Sequence, residues 1–169
     1  MPYSDEENRN WVYSIIEEIT PKTVLDIGPG AGAYGKLLKN NFPEVIVDAV
    51  EIWEPYLTKF QLELIYNCVH VGDAREHSNY NYDLVILGDI LEHMSKEDAI
   101  ALWSQIKNQA TYALISIPII HYPQGESEGN PYEAHVKDDW THSEVLETFS
   151  NIVDSQVFNV TGSYLAKFK

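Results

Sequence analysis

The first third of the chain combines glycine and acidic residues in a spacing that suits ligand binding. In the segment Val24-Leu25-Asp26-Ile27-Gly28-Pro29-Gly30-Ala31-Gly32, three glycines directly follow a short apolar run. Because glycine has no Cβ, such a loop lets the backbone approach a ligand closely. The carboxylate of Asp26 would repel a pyrophosphate but suits an ammonium group. The segment therefore predicts a loop that holds a ligand with an ammonium group.

Two further acids follow the next predicted strands. Glu51 directly follows the predicted strand Val45–Val50. A nucleotide-binding sheet places an acid on the ribose hydroxyls at about this position. Asp73 lies in Val71-Gly72-Asp73-Ala74, after a third strand. Alone, Glu51 is also compatible with an exposed loop and Asp73 with a turn after glycine. The position of Glu51, 25 residues after Asp26, favours ligand binding over an exposed loop.

These motifs, in this order, resemble those of class I S-adenosylmethionine-dependent methyltransferases. The match begins at D-x-G-x-G in Asp26–Gly30, and Asp89-Ile90-Leu91-Glu92-His93 resembles the segment after the family's fourth strand. The resemblance covers roughly Val24–Pro118. It implies S-adenosylmethionine as cofactor and S-adenosylhomocysteine as product. The cofactor-binding residues that it implies are Asp26, Ile27, Gly28, Pro29 and Gly30 for the methionine end, Glu51 and Ile52 for the ribose, Asp73 and Ala74 for the adenine, and Asp89 beside the sulfonium.

The acceptor is predicted to lie under a loop of about residues 119–140, which has neither helical nor strand periodicity. Methyl transfer to oxygen requires in-line alignment and a base for the hydroxyl proton, and histidine titrates in a useful range. His121 and His135 are the two candidate catalytic bases, and the sequence does not choose between them. The segment Asn130–His135 (N-P-Y-E-x-H) is similar to segments of short methyltransferases associated with bacterial and phage glycan modification. This similarity favours a sugar hydroxyl over other small-molecule acceptors.

Helices and strands that position these residues alternate along the chain, which indicates a mostly parallel sheet covered on both faces. Predicted strands are Thr23–Ile27, Val45–Val50, Cys68–Val71, Leu84–Leu87, Ala113–Ile117, Val153–Phe158 and Ser163–Phe168, with a turn near Thr161 and Gly162. Predicted helices carry Val12–Ile19 after a Ser4/Glu7 capping box, Tyr34–Leu38, Pro55–Leu64, Ala99–Ile106 after Ser95, and Val145–Phe149 after Thr141. The expected fold is α/β: one domain over residues 1–169, a Rossmann-like three-layer sandwich. The resemblance adds seven strands with the last one antiparallel.

The composition narrows the partners and the compartment. The formal charge is −15 and the 11 Lys and Arg residues form no cluster, which argues against nucleic acids and anionic membranes. No apolar stretch is long enough for a membrane helix, and residues 1–10 do not resemble a secretory signal. The single cysteine, Cys68, fits a reducing compartment, and we expect it to be buried. A small-molecule or sugar acceptor and a cytoplasmic location are predicted; the oligomeric state is not.

Three other functions remain open at this point. A NAD(P)-binding oxidoreductase is compatible with G-x-G-x-x-G at Gly30–Gly35, although Asp26 would then face the pyrophosphate. A metal-dependent hydrolase or metal-assisted methyltransferase would use His121, Glu133, His135 and His142, but their spacing matches no known metal motif, so no metal is predicted. A module that binds the cofactor without turnover would need the same three acids.

Overall fold

A seven-stranded sheet organises the protein, and the computed structural model describes residues 6–169. The strands are β1 (Thr23–Ile27), β2 (Ile46–Glu51), β3 (Cys68–Val71), β4 (Leu84–Gly88), β5 (Tyr112–Pro118), β6 (Ile152–Val157) and β7 (Thr161–Lys167). The helices are α1 (Arg9–Ile19), α2 (Ala33–Asn41), α3 (Pro55–Lys59), α4 (Lys96–Gln109) and α5 (His142–Thr148), together with four short 3-10 turns. The predicted α/β class is confirmed.

The strand order is β3-β2-β1-β4-β5-β7-β6. Pairings among the first five strands are parallel, whereas β7 runs antiparallel to both β5 and β6. The predicted antiparallel last strand is therefore confirmed. The order reverses between β1 and β4, and open α/β sheets bind ligands in the crevice at such a reversal, outside the carboxyl ends of the strands.

The two faces of the sheet bury separate apolar cores. One core packs α4 and α5 against the sheet through residues such as Leu102 and Val145, and the other packs α1 and α2 through Ile16 and Leu38. All five residues of β4 are buried. A strand buried on both faces needs a continuous apolar sequence, which explains why Leu84–Leu87 is readable as a strand.

Side-chain caps fix where two of the helices begin. Ser95 Oγ accepts the amide of Asp98 at α4 (3.1 Å), and Thr141 Oγ1 accepts that of Glu144 at α5 (3.2 Å). Both predicted caps are confirmed. The capping box predicted for α1 includes Ser4, which lies outside the described residues, whereas Glu7 Oε1 accepts the amides of Val160 and Thr161 (2.9 and 2.8 Å). Glu7 thus joins the start of α1 to the β6–β7 connection.

The helix predicted over Pro55–Leu64 is wrong in its second half. Helix α3 ends at Lys59, Gln61 adopts a left-handed conformation (φ 53°), and a 3-10 turn follows at Leu62–Leu64. The break lets Leu62 become fully buried while Leu64 remains 72% exposed. The apolar spacing in the sequence thus came from two short elements rather than from one helical face.

The turn predicted near Thr161 and Gly162 is also wrong, because both residues belong to β7 and the connection lies at residues 158–160. A Cβ on Gly162 would lie 2.4 Å from the hydroxyl oxygen of Tyr164. Glycine is needed at this position because the ring packs across it, not because the chain turns there.

The predicted burial of Cys68 is wrong, whereas a buried Trp140 decides how the acceptor loop packs. Cys68 is exposed, because β3 is an edge strand that pairs with β2 alone. Trp140, at the end of the acceptor loop, is 1% exposed and packs against Phe149 in the core. Trp140 therefore anchors the end of the acceptor loop.

Candidate functional site

The glycine loop leaves β1 with a backbone that non-glycine residues rarely adopt. Gly28, Gly30 and Gly32 have φ values of 66°, 52° and 77°. The amide of Gly28 donates to the carbonyl of Val50 on β2 (2.9 Å), which fixes the start of the loop against the neighbouring strand. This conformation keeps the space beyond the carboxyl end of β1 free of side chains.

Asp26 lies beneath this loop rather than in its mouth. Its carboxyl group is 1% exposed, and Oδ2 accepts a 2.6 Å hydrogen bond from the hydroxyl of Tyr66. The same hydroxyl accepts the amide of Gly35 from the first turn of α2 (3.2 Å). Burial raises the pKa of Asp26 to about 7 despite the Tyr66 hydrogen bond, and the charge of Glu51 contributes. Asp26 thus ties the loop to α2 and to Tyr66.

Glu51 occupies the end of β2 and faces the crevice. Its side chain is 3% exposed, and Oε1 accepts the amide of Trp53 (2.8 Å). Burial raises its pKa to about 7, opposed by backbone hydrogen bonds and assisted by the charge of Glu133. A carboxylate in this position can accept two vicinal hydroxyl protons.

Asp73 is held at the carboxyl end of β3 by Arg75. Its Oδ1 accepts the backbone amide of Arg75 (2.8 Å) and the guanidinium Nε (3.0 Å). These hydrogen bonds lower the pKa of Asp73, which therefore remains ionised at neutral pH. Arg75 also reaches Asp98 on α4 (2.8 Å), so the turn is fixed to that helix.

The carboxyl ends of these strands enclose a pocket of about 870 Å³ that is open to solvent. Nine of the ten residues predicted to bind the cofactor line it: Ile27, Gly28, Pro29, Gly30, Glu51, Ile52, Asp73, Ala74 and Asp89. Asp26, the tenth, does not line the pocket.

The pocket wall carries more negative than positive groups. Glu51, Asp73, Asp89 and Glu133 contribute carboxyl groups, and Arg75, the one guanidinium on this wall, is already paired with Asp73. The wall therefore favours a ligand with positive charge and disfavours one with a pyrophosphate.

A second group of residues closes the pocket beyond β4. His93 follows β4 in a 3-10 turn, and Asn130, Tyr132 and Glu133 come from the acceptor loop. Glu133 is 7% exposed, and its Oε1 accepts a hydrogen bond from the Tyr56 hydroxyl (2.9 Å). The predicted acceptor loop thus supplies one wall of the pocket.

The two predicted bases have different positions. The side chain of His121 is 71% exposed and does not line the pocket. Its Nε2 lies 3.4 Å from Oδ2 of Asp138. His135 is half-buried and contacts His93, with ring centroids 4.8 Å apart. Burial lowers the pKa of both His93 and His135, which favours neutral imidazoles at pH 7. Neither predicted base lines the pocket, but His135 contacts His93, which does.

Sequence reasoning missed His93 and Tyr56. His93 stands in the quoted segment Asp89–His93, from which only Asp89 was chosen. An acid and a histidine four residues apart after a buried strand could have indicated it. Tyr56 carries no comparable signal, because its role depends on Glu133.

Comparisons with known proteins agree with this geometry at the level of the fold. No protein-family model matches the sequence, and no curated protein matches it significantly. A candidate O-methyltransferase from Nostoc punctiforme PCC 73102 superposes with a TM-score of 0.70 at 20% identity, over 93% of this chain and 54% of that one. The N-terminal domain of EvdMO1, with S-adenosylhomocysteine bound, superposes with a TM-score of 0.70 at 11% identity, over 98% of this chain and 83% of that one. Human N-acetylserotonin methyltransferase, in complex with S-adenosylmethionine, superposes with a TM-score of 0.69 at 16% identity, over 95% of this chain and 51% of that one.

The chain has the class I methyltransferase fold. It spans about half the length of the Nostoc and human proteins. The strand order with an antiparallel β7 differs from the 3-2-1-4-5-6 order of dinucleotide-binding sheets. Within the described residues, no helix has the length and apolarity needed to cross a bilayer.

Proposed function

We propose that the protein is an S-adenosylmethionine-dependent methyltransferase that acts on a hydroxyl group of a small or sugar acceptor. The observation that carries the proposal is one pocket that is lined by the glycine loop, Glu51 and Asp73 and whose wall has an excess of carboxyl groups. S-adenosylmethionine supplies an electrophilic methyl group on a positively charged sulfonium. An acidic wall stabilises that charge.

Each part of the pocket has a proposed role in binding. Gly28 and Gly30 leave room for the methionine end beside the loop backbone, and Glu51 accepts the ribose hydroxyls. Asp73 is fixed by Arg75 in a position to accept the adenine amino group. Asp26 acts from beneath the loop, since it holds the loop through Tyr66 rather than through an exposed carboxylate.

Methyl transfer takes place at the end of the pocket formed by Asp89, His93 and the acceptor loop. The acceptor oxygen attacks the methyl carbon in line with the sulfur, so that a C–O bond forms while the C–S bond breaks and the sulfur keeps the electron pair. The acceptor proton is lost with the help of the neighbouring histidines. Of the two predicted bases, His135 is the one we retain.

A sugar acceptor is supported by two observations. The exposed ring of Tyr132 stands at the pocket wall (47% exposed) and offers a stacking surface for a sugar. The N-terminal domain of EvdMO1 has also been crystallised in the presence of S-adenosylhomocysteine and D-fucose, and superposes with a TM-score of 0.69 at 11% identity.

Calorimetric titration with S-adenosylhomocysteine, S-adenosylmethionine and NAD tests the cofactor. We expect saturable binding of the two adenosyl ligands and none of NAD, because the pyrophosphate would meet the acidic wall. Binding of NAD alone, or of none of the three ligands, would refute the proposal.

A search for the acceptor separates an enzyme from a binding module. Protein with bound cofactor is incubated with panels of sugars and small phenols, and S-adenosylhomocysteine release is measured. If the protein is an enzyme, it releases S-adenosylhomocysteine with at least one acceptor. Replacement of His135 then abolishes this turnover but not cofactor binding.

A further inference from the structure

Three side chains that can bind a metal ion converge beside the pocket, which one of them, His93, lines. They are Glu92 and His93, from the 3-10 turn after β4, and His135 from the acceptor loop. One potential ligand atom from each lies within 4.8 Å of the others. This is the one such group found among residues 6–169.

Hydrogen bonds set the tautomer of both imidazoles so that Nε2 of each can bind a metal ion. Nδ1 of His93 donates to the carbonyl of Ala134 (3.2 Å), and Nδ1 of His135 donates to the carbonyl of Tyr122 (2.6 Å). A carbonyl can only accept, so each Nδ1 carries the proton and each Nε2 keeps its lone pair. Metal-binding histidines use their second nitrogen in this way.

The backbone fixes the three residues relative to one another. The amides of Val136 and Lys137 both donate to the carbonyl of Glu92 (2.8 and 3.0 Å), which fastens the chain after His135 onto the turn that carries Glu92 and His93. The site thus joins two segments that are distant in sequence.

The carboxyl group of Glu92 provides the second indication of a ligand. It is 2% exposed, and Oε2 has no hydrogen-bond partner within residues 6–169. A buried carboxyl oxygen without a partner costs free energy, and coordination to a cation offsets that cost. Two imidazoles and one carboxylate form the ligand set of open catalytic zinc sites.

We propose that Glu92, His93 and His135 bind one divalent transition-metal ion, with Zn²⁺ as the reference ion. The ligand atoms around Zn²⁺ lie roughly 3.3 Å apart for bonds of about 2.0–2.1 Å, so the widest gap of 4.8 Å must close by about 1.5 Å. The half-buried side chain of His135 would have to move by this amount, with its Nδ1 hydrogen bond to Tyr122 adjusting. Imidazole ligands favour such ions over Mg²⁺ and Ca²⁺.

The location gives the ion a role that rests on the proposed function. His93 lines the pocket, so an open coordination position faces the acceptor end. A hydroxyl of the acceptor that occupies this position has a lower pKa and loses its proton to solvent more easily. The two histidines would then activate the acceptor through the ion instead of taking its proton themselves.

Zn²⁺ titration of untagged, chelator-treated protein tests the site without cofactor or acceptor. We expect one Zn²⁺ per chain, and at least about tenfold weaker affinity in His93→Ala and in His135→Ala. Mg²⁺ should bind far more weakly. Glu92→Gln should weaken Zn²⁺ binding similarly. If this variant does not fold because Glu92 is buried, the Zn²⁺ affinity of His135→Ala decides the test.

Matched histidine variants make the result specific. His121 is exposed and outside the cluster, and His77 is also outside it, where its ring contacts that of His70 (5.1 Å between ring centroids). His121→Ala and His77→Ala should leave Zn²⁺ affinity unchanged. Affinity within twofold of the unmodified protein in both His93→Ala and His135→Ala, or loss in His77→Ala, would overturn the proposal. S-adenosylhomocysteine binding is measured separately, so failure of the cofactor proposal would appear as absent binding of that ligand with Zn²⁺ binding intact.

Discussion

The backbone of Gly28 packs so closely against Ile90 that a Cβ at position 28 would lie 2.5 Å from Ile90 Cγ2. Gly28 also has a φ of 66°, which strains any residue with a side chain. The contact joins the loop after β1 to the segment after β4, which are the two sides of the crevice.

Gly28→Ala should therefore destabilise the protein by about 1–3 kcal/mol and weaken S-adenosylhomocysteine binding more than about tenfold. The unfolding free energy comes from urea titration and the affinity from calorimetry. Gly125→Ala is the matched control, since a Cβ there meets no atom within 4 Å. Equal behaviour of the two variants would contradict the role assigned to Gly28.

Tyr66→Phe removes the hydroxyl that joins Asp26 to the amide of Gly35. Because both partners are buried, we expect a loss of about 1–3 kcal/mol in the free energy of unfolding. Cofactor affinity should also fall, since the loop loses its support from below. Tyr13→Phe, on the half-buried side of α1, serves as control and should change neither quantity. A Tyr66→Phe protein as stable as the original would show that this hydrogen bond is unimportant.

The raised pKa of Asp26 makes stability depend on pH. The pKa is about 7 in the folded protein and near 3.8 in the unfolded chain, so the folded state binds the extra proton. The corresponding stabilisation is complete below the unfolded pKa and is lost as pH rises through about 7. Relative to Asp26→Asn, the protein should lose on the order of 2–3 kcal/mol of unfolding free energy between pH 5 and pH 8. A constant difference between the two proteins over this range would contradict the burial of an ionisable Asp26.

Glu51 should make cofactor binding depend on pH. Its pKa is raised to about 7 by burial, and only the ionised carboxylate can accept both ribose hydroxyls. S-adenosylhomocysteine affinity should therefore decrease below pH 7, by up to about tenfold per pH unit. Glu51→Gln should bind weakly at every pH and lose most of this dependence. Calorimetry from pH 5.5 to 8.5 measures both, and an unchanged slope in the variant would exclude Glu51 as its source.

His135 and His121 form a matched pair for testing turnover. His135→Ala should lower kcat at least about tenfold while S-adenosylhomocysteine affinity stays within twofold. His121→Ala should change neither, because its ring is exposed, whereas that of His135 contacts His93 at the pocket wall. Release of S-adenosylhomocysteine with an acceptor found by screening measures kcat. Loss of turnover in His121→Ala alone would reverse the assignment.

Local patterns in the sequence were sufficient to predict most of the fold. The strands Thr23–Ile27 and Cys68–Val71 were predicted with the observed bounds, and the caps Ser95 and Thr141 begin the helices they were expected to begin. Short apolar runs and capping residues act over a few positions, so they can be read along the chain. The Pro55–Leu64 helix failed because spacing alone does not distinguish one apolar face from two short elements that reach the core separately.

The sequence also determined which residues end the strands at the cofactor pocket, since motif order along parallel strands fixes their common edge. Only the tertiary structure decided what those residues face. Asp26 is held under the glycine loop by its hydrogen bond with the Tyr66 hydroxyl. His121 is exposed and lies beside Asp138 rather than in the pocket wall. His93 and His135 meet because loop amides bind the carbonyl of Glu92. Contacts between distant segments depend on how the loop packs, and no periodicity in either segment encodes that packing.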